Sequence, residues 1–343
     1  MWAELAVTVI KLAVIAGAML TSVPIMVWVE RRGAAFFQDR LGPNRVGPWG
    51  LLQPVIDVVK LLFKEDITPA AANRALYFLA PAIAITVALV TFAVIPFGAG
   101  EDITLLGVSL HGFMIAPGLD VGVLYLLALS SLSVYSIVLA GWSSNNKYSL
   151  LGGLRSSAQL ISYELAMTIA VLGVLLAAGS LRLDAVVDYQ SRHLWNIIPQ
   201  FPGFVVFLAA AFAETNRLPF DLAEAETELV AGYHVEYSSM KFASFMMSEY
   251  INMATVSALL VTLFLGGWTF PGHEHLSGWP LLIASLLAFS VKVGFFLFLF
   301  VWVRWSLPRF RYDQLMQIGW KGLLPIAVLN LVWVSVAVTF GWL

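Results

Sequence analysis

Along this chain the apolar residues come in long unbroken runs, not in the short alternations of a soluble fold. Eight runs approach or exceed the length that crosses a bilayer: about 3–29, 77–97, 118–141, 158–179, 201–213 with its flanks, 240–265, 281–303 and 322–342. A helix needs about 20 apolar residues to cross a ~30 Å hydrocarbon core. In lipid its backbone must satisfy its own hydrogen bonds. The pattern therefore predicts an all-α integral membrane protein with about eight transmembrane helices. The first run is the longest and should tilt or protrude; the fifth is the shortest. No repeat period or low-complexity linker interrupts the series, so residues 1–343 read as a single polytopic membrane domain.

Composition agrees. Hydrophobic residues make up 60% of the chain and charged ones 12%, and the mean hydropathy is +0.85. The opening stretch MWAELAVTVIKLAVIAGAML has no basic region before its apolar residues, and the run continues to about Val29. It reads as a first transmembrane helix, not a cleaved signal. Net charge is −2, so nothing points to nucleic acid. Cysteine is absent, which excludes a disulfide, a thiolate metal site or a Cys-ligated iron–sulfur cluster built by this chain alone.

Lysine and arginine set the orientation. With the N-terminus outside, fifteen of the nineteen basic residues fall in inner segments. Only Arg182 and Arg192 fall in outer loops, and Lys11 and Lys292 lie within spans. The positive-inside rule then puts both termini on the outer side. One inner segment, GLLQPVIDVVKLLFKED (50–66), is too short to cross. It gathers Leu51, Leu52, Val55, Val58, Val59, Leu62 and Phe63 on one stripe, which Asp57, Lys60, Lys64 and Glu65 avoid. This predicts an amphipathic helix at about 50–65, lying on the inner membrane surface or packed on a partner protein.

Against this sparse charge, one inner loop, at about 214–239, is strongly acidic. Seven of the chain's 21 acids lie between 214 and 249: Glu214, Asp221, Glu224, Glu226, Glu228, Glu236 and Glu249. A helix over 221–232 would put Asp221, Glu224 and Glu228 on one face. Like charges so placed repel, and in a poorly solvated site their pKa values rise and couple. Such a row can pass protons and respond to a nearby charge. A solvated acidic loop is the simpler reading, but the interleaved Leu222, Leu229, Val230 and Tyr233 argue against it. Glu164 and Glu249 lie inside spans, where a carboxylate must face protein or water and be paired or protonated. Lys292, deep in the seventh span, is a possible partner for one of them. Lys11 is placed to snorkel outwards.

A third cluster, VERRGAAFFQDRLGPNRVGPWG (29–50), combines four arginines with two Gly-Pro turns. A loop holding lipid headgroups would explain its charge but not its rigidity. In LPRFRYDQL, Arg309 and Arg311 are placed to meet the acids of 214–228, and such basic and acidic clusters suit docking to soluble subunits. Nucleotide-binding glycine loops, Cys/His metal spacings and paired haem histidines are all missing. His273 and His275 form only a weak H-E-H metal pattern, so no metal site is assigned.

The segments ERRGAAFFQDRLGPNRVGPWGLLQPVIDVVKLLFKED, AETNRLPFDLAEAETELVAGYHVEYSSMKFASFMMSEY and PRFRYDQLMQIGWK resemble the signature segments of one family of membrane subunits of respiratory complex I, the NADH:quinone oxidoreductase. The resemblance covers essentially the whole chain. It implies a subunit at the junction of the peripheral and membrane arms, forming much of a quinone chamber. Its partners would be soluble iron–sulfur and quinone-site subunits, small and antiporter-like membrane subunits, and lipid. Quinone would be a substrate, with no flavin or iron–sulfur cluster on this chain. The family's acidic proton and charge relay maps onto Glu164, Glu214, Glu224, Glu226, Glu228 and Glu249. Its quinone-binding positions map onto Glu30, Arg31, Arg40 and Asp57, with Arg217, Arg309 and Arg311 added. Ala223 stands where the family often has Pro before the acidic triplet. The implied location is a bacterial plasma membrane, with a mitochondrial inner membrane as the alternative. Two other readings use the same intramembrane acids: a related subunit of an energy-converting hydrogenase or of a ferredoxin- or F420H2-linked complex, and a stand-alone cation transporter. The large charged inner surface gives a solitary transporter little use.

Overall fold

A computed structural model describes residues 2–100, 103–105, 107–110, 113–222 and 230–343. Its helices are α1 (Trp2–Phe37), α2 (Gln53–Leu62), α3 (Arg74–Val90), α4 (Gly122–Ser143), α5 (Lys147–Ala178), α6 (Leu183–Arg192), α7 (Phe201–Glu214), α8 (Ser239–Phe264), α9 (Gly278–Ser306) and α10 (Tyr312–Thr339). A short antiparallel hairpin, β1 (Thr104–Leu105) with β2 (Val108–Ser109), lies in the α3–α4 connection. Among the described residues, seven helices are long and apolar enough to cross a membrane. The protein is thus an all-α, multi-pass membrane protein.

Helix ends follow local chemistry. Asn146 caps α5 by accepting a hydrogen bond from the Tyr148 amide at 2.9 Å, and Gly179, in left-handed conformation at φ +63°, stops it. α5 begins eleven residues before the apolar run predicts, because the polar stretch GGLRSS is built into a tight helix contact. α1 runs eight residues past the predicted end, carrying Glu30, Arg31 and Arg32 on the same helix until the Gly42-Pro43 turn. The amphipathic helix is shorter than its apolar stripe suggests. A 3-10 turn, Pro48–Gly50, precedes it. There Gly50 sits at φ +75° and a Cβ would fall 2.2 Å from the Pro43 carbonyl oxygen. Only glycine fits such an approach.

The helices enclose one another unevenly. Of the most apolar window of α8, 78% is buried, against 17% for α1, 22% for α9 and 28% for α10. α8 therefore occupies the interior, and the other three line the outside. α7 has 14 residues, or ~21 Å, which is short for a bilayer. Protein satisfies its C-terminal end: Gln159 of α5 donates to the carbonyls of Ala213 and Phe220, both at 2.8 Å.

Both lysines within spans differ from expectation. Among the described residues, Lys292 meets no acid. Its ammonium donates to the carbonyls of Leu265 (2.7 Å), Gly267 (3.0 Å) and Thr269 (2.6 Å), with the Trp195 ring 4.4 Å away. It holds the turn that follows α8, at the end where the helix dipole also favours a cation. Lys11 does not snorkel; it is buried and donates to the Leu110 carbonyl at 3.1 Å. In each case a backbone oxygen satisfies the ammonium without a second buried charge.

Candidate functional site

The extension of α1 brings Glu30 and Arg31 level with the N-terminal half of α8. Between them lies a cavity of about 420 Å³. Glu30, Arg31 and Ala34 of α1 line it, with Arg40–Pro43 of the connector, Arg217 after α7, Met246, Glu249 and Tyr250 of α8, and Arg304 and Trp305 of α9. Four residues predicted to bind substrate, Glu30, Arg31, Arg40 and Arg217, thus share one wall with the predicted relay acid Glu249.

Charge in the cavity is tightly paired. Glu30 accepts hydrogen bonds from Arg304 and from the Tyr250 hydroxyl at 2.7 Å, with Arg217 at 3.5 Å. Arg217 also faces Glu249 at 3.9 Å and lies 4.4 Å over the Tyr250 ring. Arg217, Glu30 and Glu249 are all buried. Removing one partner of such a cluster strands a charge and costs about 3–5 kcal/mol. Behind the wall, Arg309 donates to Asp221 at 2.8 Å, as expected of the last inner loop. Among the described residues, the partner of Arg311 is a different acid. It pairs with its neighbour Asp313 at 3.0 Å on the surface, because the chain turns into α10 just beyond it. Asp57 stands off the wall and pairs with Arg31 at 2.5 Å. Burial pushes its carboxyl up, but hydrogen bonds from Arg31 and Gln53 and the charges of Arg31 and Lys60 outweigh this and hold it below the usual carboxylate range.

Two smaller cavities continue inward from Glu249. One, of about 30 Å³, is lined by Glu249, Ser248, Tyr233, Asn216, Asn252, Ser136, Ser133 and Glu214. The next, of about 40 Å³, is lined by Glu214, Asn252, Ser133, Ser130, Thr91 and Thr255. Both have room for water and polar groups to hold it. The Tyr233 hydroxyl donates to Glu249 at 3.2 Å. Ser130 and Ser131 both donate to Glu164, Ser130 at 3.2 Å. Glu249, Glu214 and Glu164 therefore follow one another along a row of hydroxyls, amides and small cavities. The predicted relay residues Glu224, Glu226 and Glu228 lie outside the described residues.

The profile of the NADH dehydrogenase family matches residues 10–335. The chain belongs to the NADH dehydrogenase family. Its similarity to an NADH-quinone oxidoreductase subunit of Deinococcus deserti is 52% identity, covering 98% of this chain and 86% of that one. With NADH-quinone oxidoreductase subunit 8 of Rhodothermus marinus it is 51%, covering 94% and 95%. An NADH-quinone oxidoreductase subunit of Leptospira biflexa serovar Patoc is 48% identical over 100% of this chain and 98% of its own.

Within this NADH dehydrogenase family member, the sequence reading missed Arg304 and Tyr250 as cavity residues and Tyr233, Ser130 and Ser131 as links between acids. Arg304 stood out only as one more inner cation. A basic residue in the last turn of a long apolar helix was the available signal. Among the described residues, no group of three His, Cys, Asp or Glu is placed to hold a metal ion.

Proposed function

We propose that this chain is the membrane subunit of a proton-pumping NADH:quinone oxidoreductase. In this reading it forms much of the quinone-binding chamber and carries an acidic relay away from it. The observation that carries the reading is Glu249, a wall residue both of the 420 Å³ cavity and of the inner cavity that reaches Glu214. Quinone reduction takes up two protons and builds negative charge on the ring oxygens. Arg31, Arg40 and Arg217 stand where that charge would be felt. Glu249, close to Arg217, can give up or reorganise a proton in response. Along the small cavities, which have room for water, the change passes to Glu214 and, across Ser130 and Ser131, to Glu164. The loop acids Glu224, Glu226 and Glu228 belong to the same relay on the family resemblance.

The chain brings no redox group of its own, so electrons reach the quinone from soluble iron–sulfur and quinone-site subunits seated on the charged inner face. Small and antiporter-like membrane subunits take up the relay beyond Glu164. The setting is a bacterial plasma membrane, with α7 as an eighth crossing and both termini outside. Fifteen inner basic residues against two outer ones support that orientation.

A photoreactive quinone analogue, irradiated in native membranes, should label peptides containing residues 27–43 and 246–250, and excess quinone should suppress that labelling. Labelling confined to other subunits, or to the outer half of this chain, would defeat the chamber assignment.

A further inference from the structure

The amphipathic helix α2 borders the connector that lines the cavity, yet little apolar packing holds it. Val55, Val58, Val59 and Leu62 are all exposed. Polar tethers hold it instead. One is the Arg31–Asp57 pair to α1, whose arginine side chain is 46% exposed and so contributes little. The other lies at the far end of α2, where the chain leaves it beside the start of α8. There the Lys241 side chain is only 9% exposed. Its ammonium meets Asp66 at 2.8 Å and Thr68 at 3.0 Å. The rings of Tyr77 and Phe78 flank it at 4.7 and 4.5 Å. Beside it, the Ser239 hydroxyl donates to the Leu61 carbonyl at 3.0 Å, and the Ile67 amide donates to Ser238 at 3.0 Å.

We propose that Lys241 is a positioning residue that pins α2 to α8 and so sets the mouth of the quinone chamber; this rests on the chamber reading above. The chemistry of the joint favours a lysine at its centre. A compact ammonium satisfies a carboxylate and a hydroxyl while two aromatic faces replace its lost water. An uncharged side chain of similar length would leave Asp66 without this partner, and the chain leaving α2 would be held to α8 only by the two serine contacts, with the exposed Arg31–Asp57 pair as the remaining tether of the helix. The joint also reaches the acidic loop. Tyr77, which flanks Lys241, donates its hydroxyl to the Glu236 carbonyl at 2.6 Å and stacks on Tyr237 at 4.2 Å. The mouth of the chamber and the exit of the acidic loop are therefore fastened at one point.

The test uses the assembled complex with Lys241→Met, read by hydrogen exchange over residues 53–62 and by quinone kinetics. Without the pin, α2 amides should exchange at least about tenfold faster. The apparent KM for a long-tailed quinone should rise at least about threefold, with kcat within about twofold. The chain has no cysteine of its own, so a single disulfide can replace the pin. Ile67→Cys with Ser238→Cys bridges the joint where the two residues already touch. Oxidising that pair in the Lys241→Met background should return both readouts to wild-type values. Unchanged α2 exchange overturns the pin. Faster exchange with unchanged KM, or a crosslink that restores exchange but not KM, overturns its role at the mouth. Where Lys241→Met does not assemble, Asp66→Asn makes the same comparison, because that carboxylate is half exposed. A wild-type complex that reduces no quinone removes the chamber reading, while the exchange comparison still decides the pin.

Discussion

His234 shows how a single buried group ties this protein to pH. It sits in the turn Gly232–His234, with its ring 5.0 Å from the Tyr233 ring and 5.3 Å from Phe242. Burial pushes its imidazole down to about 4 from an ordinary 6.5. The folded turn therefore holds a neutral ring, while the unfolded chain takes up a proton below pH 6.5. The contribution to stability is complete above that pH and is lost as pH falls towards 4, a change of about 3 kcal/mol in all. The thermal midpoint of the complex should fall between pH 7.5 and 5, and His234→Gln should flatten that slope. An identical acid slope in the variant would rule the residue out. At this scale the sequence was informative wherever a charge interrupts an apolar run, as at Glu164, Glu249, Glu30 and Lys292. It revealed position but not partner. Glu30 meets Arg304 across 274 positions, and Lys292 meets carbonyls instead of acids. No spacing rule encodes either contact.

Among elements, α5 makes a close approach to the turn that carries Tyr233. A Cβ at Gly152 would lie 2.7 Å from the Gly232 Cα, a backbone atom that cannot swing aside. Gly152→Ala should push the turn away and break the Tyr233–Glu249 hydrogen bond. Quinone reductase turnover should fall several-fold with the complex still assembled, although no polar group is removed. Gly294→Ala, at a glycine with open space around it, is the control and should keep its rate. The turn after α8 gives a second test. Lys292→Met leaves the carbonyls of Leu265, Gly267 and Thr269 without their donor, at a cost of about 3 kcal/mol or more. The melting midpoint in detergent should drop, and Lys292→Arg should recover part of it; a midpoint equal to wild type would remove that role. Helix existence was legible from apolar length, and the amphipathic stripe marked α2. Helix ends were less so. α1 and α5 both run on through polar residues that α8, α9 and the Gly232 turn pack against, and that packing is tertiary.

The whole molecule places a charged cavity at one end of a row of acids that runs into the interior along Glu249, Glu214 and Glu164. α8, the most enclosed of the long helices, carries the link between cavity and row, and the less enclosed α1 and α9 supply the cavity's other walls. The composition of the row was visible in the sequence as an excess of acids. Its continuity was not, because Ser130, Ser133, Asn216 and Asn252 are ordinary residues until the bundle brings them together. The central claim is that chemistry in the cavity is coupled to proton movement through that row. The most direct measurement is NADH-driven quinone reduction and proton uptake by the complex in proteoliposomes with Glu214→Gln. Glu214 lines the two smaller cavities but not the 420 Å³ cavity. Coupled turnover should fall at least about tenfold, with assembly and quinone photolabelling unchanged. Wild-type turnover and wild-type pumping in that variant would contradict the account.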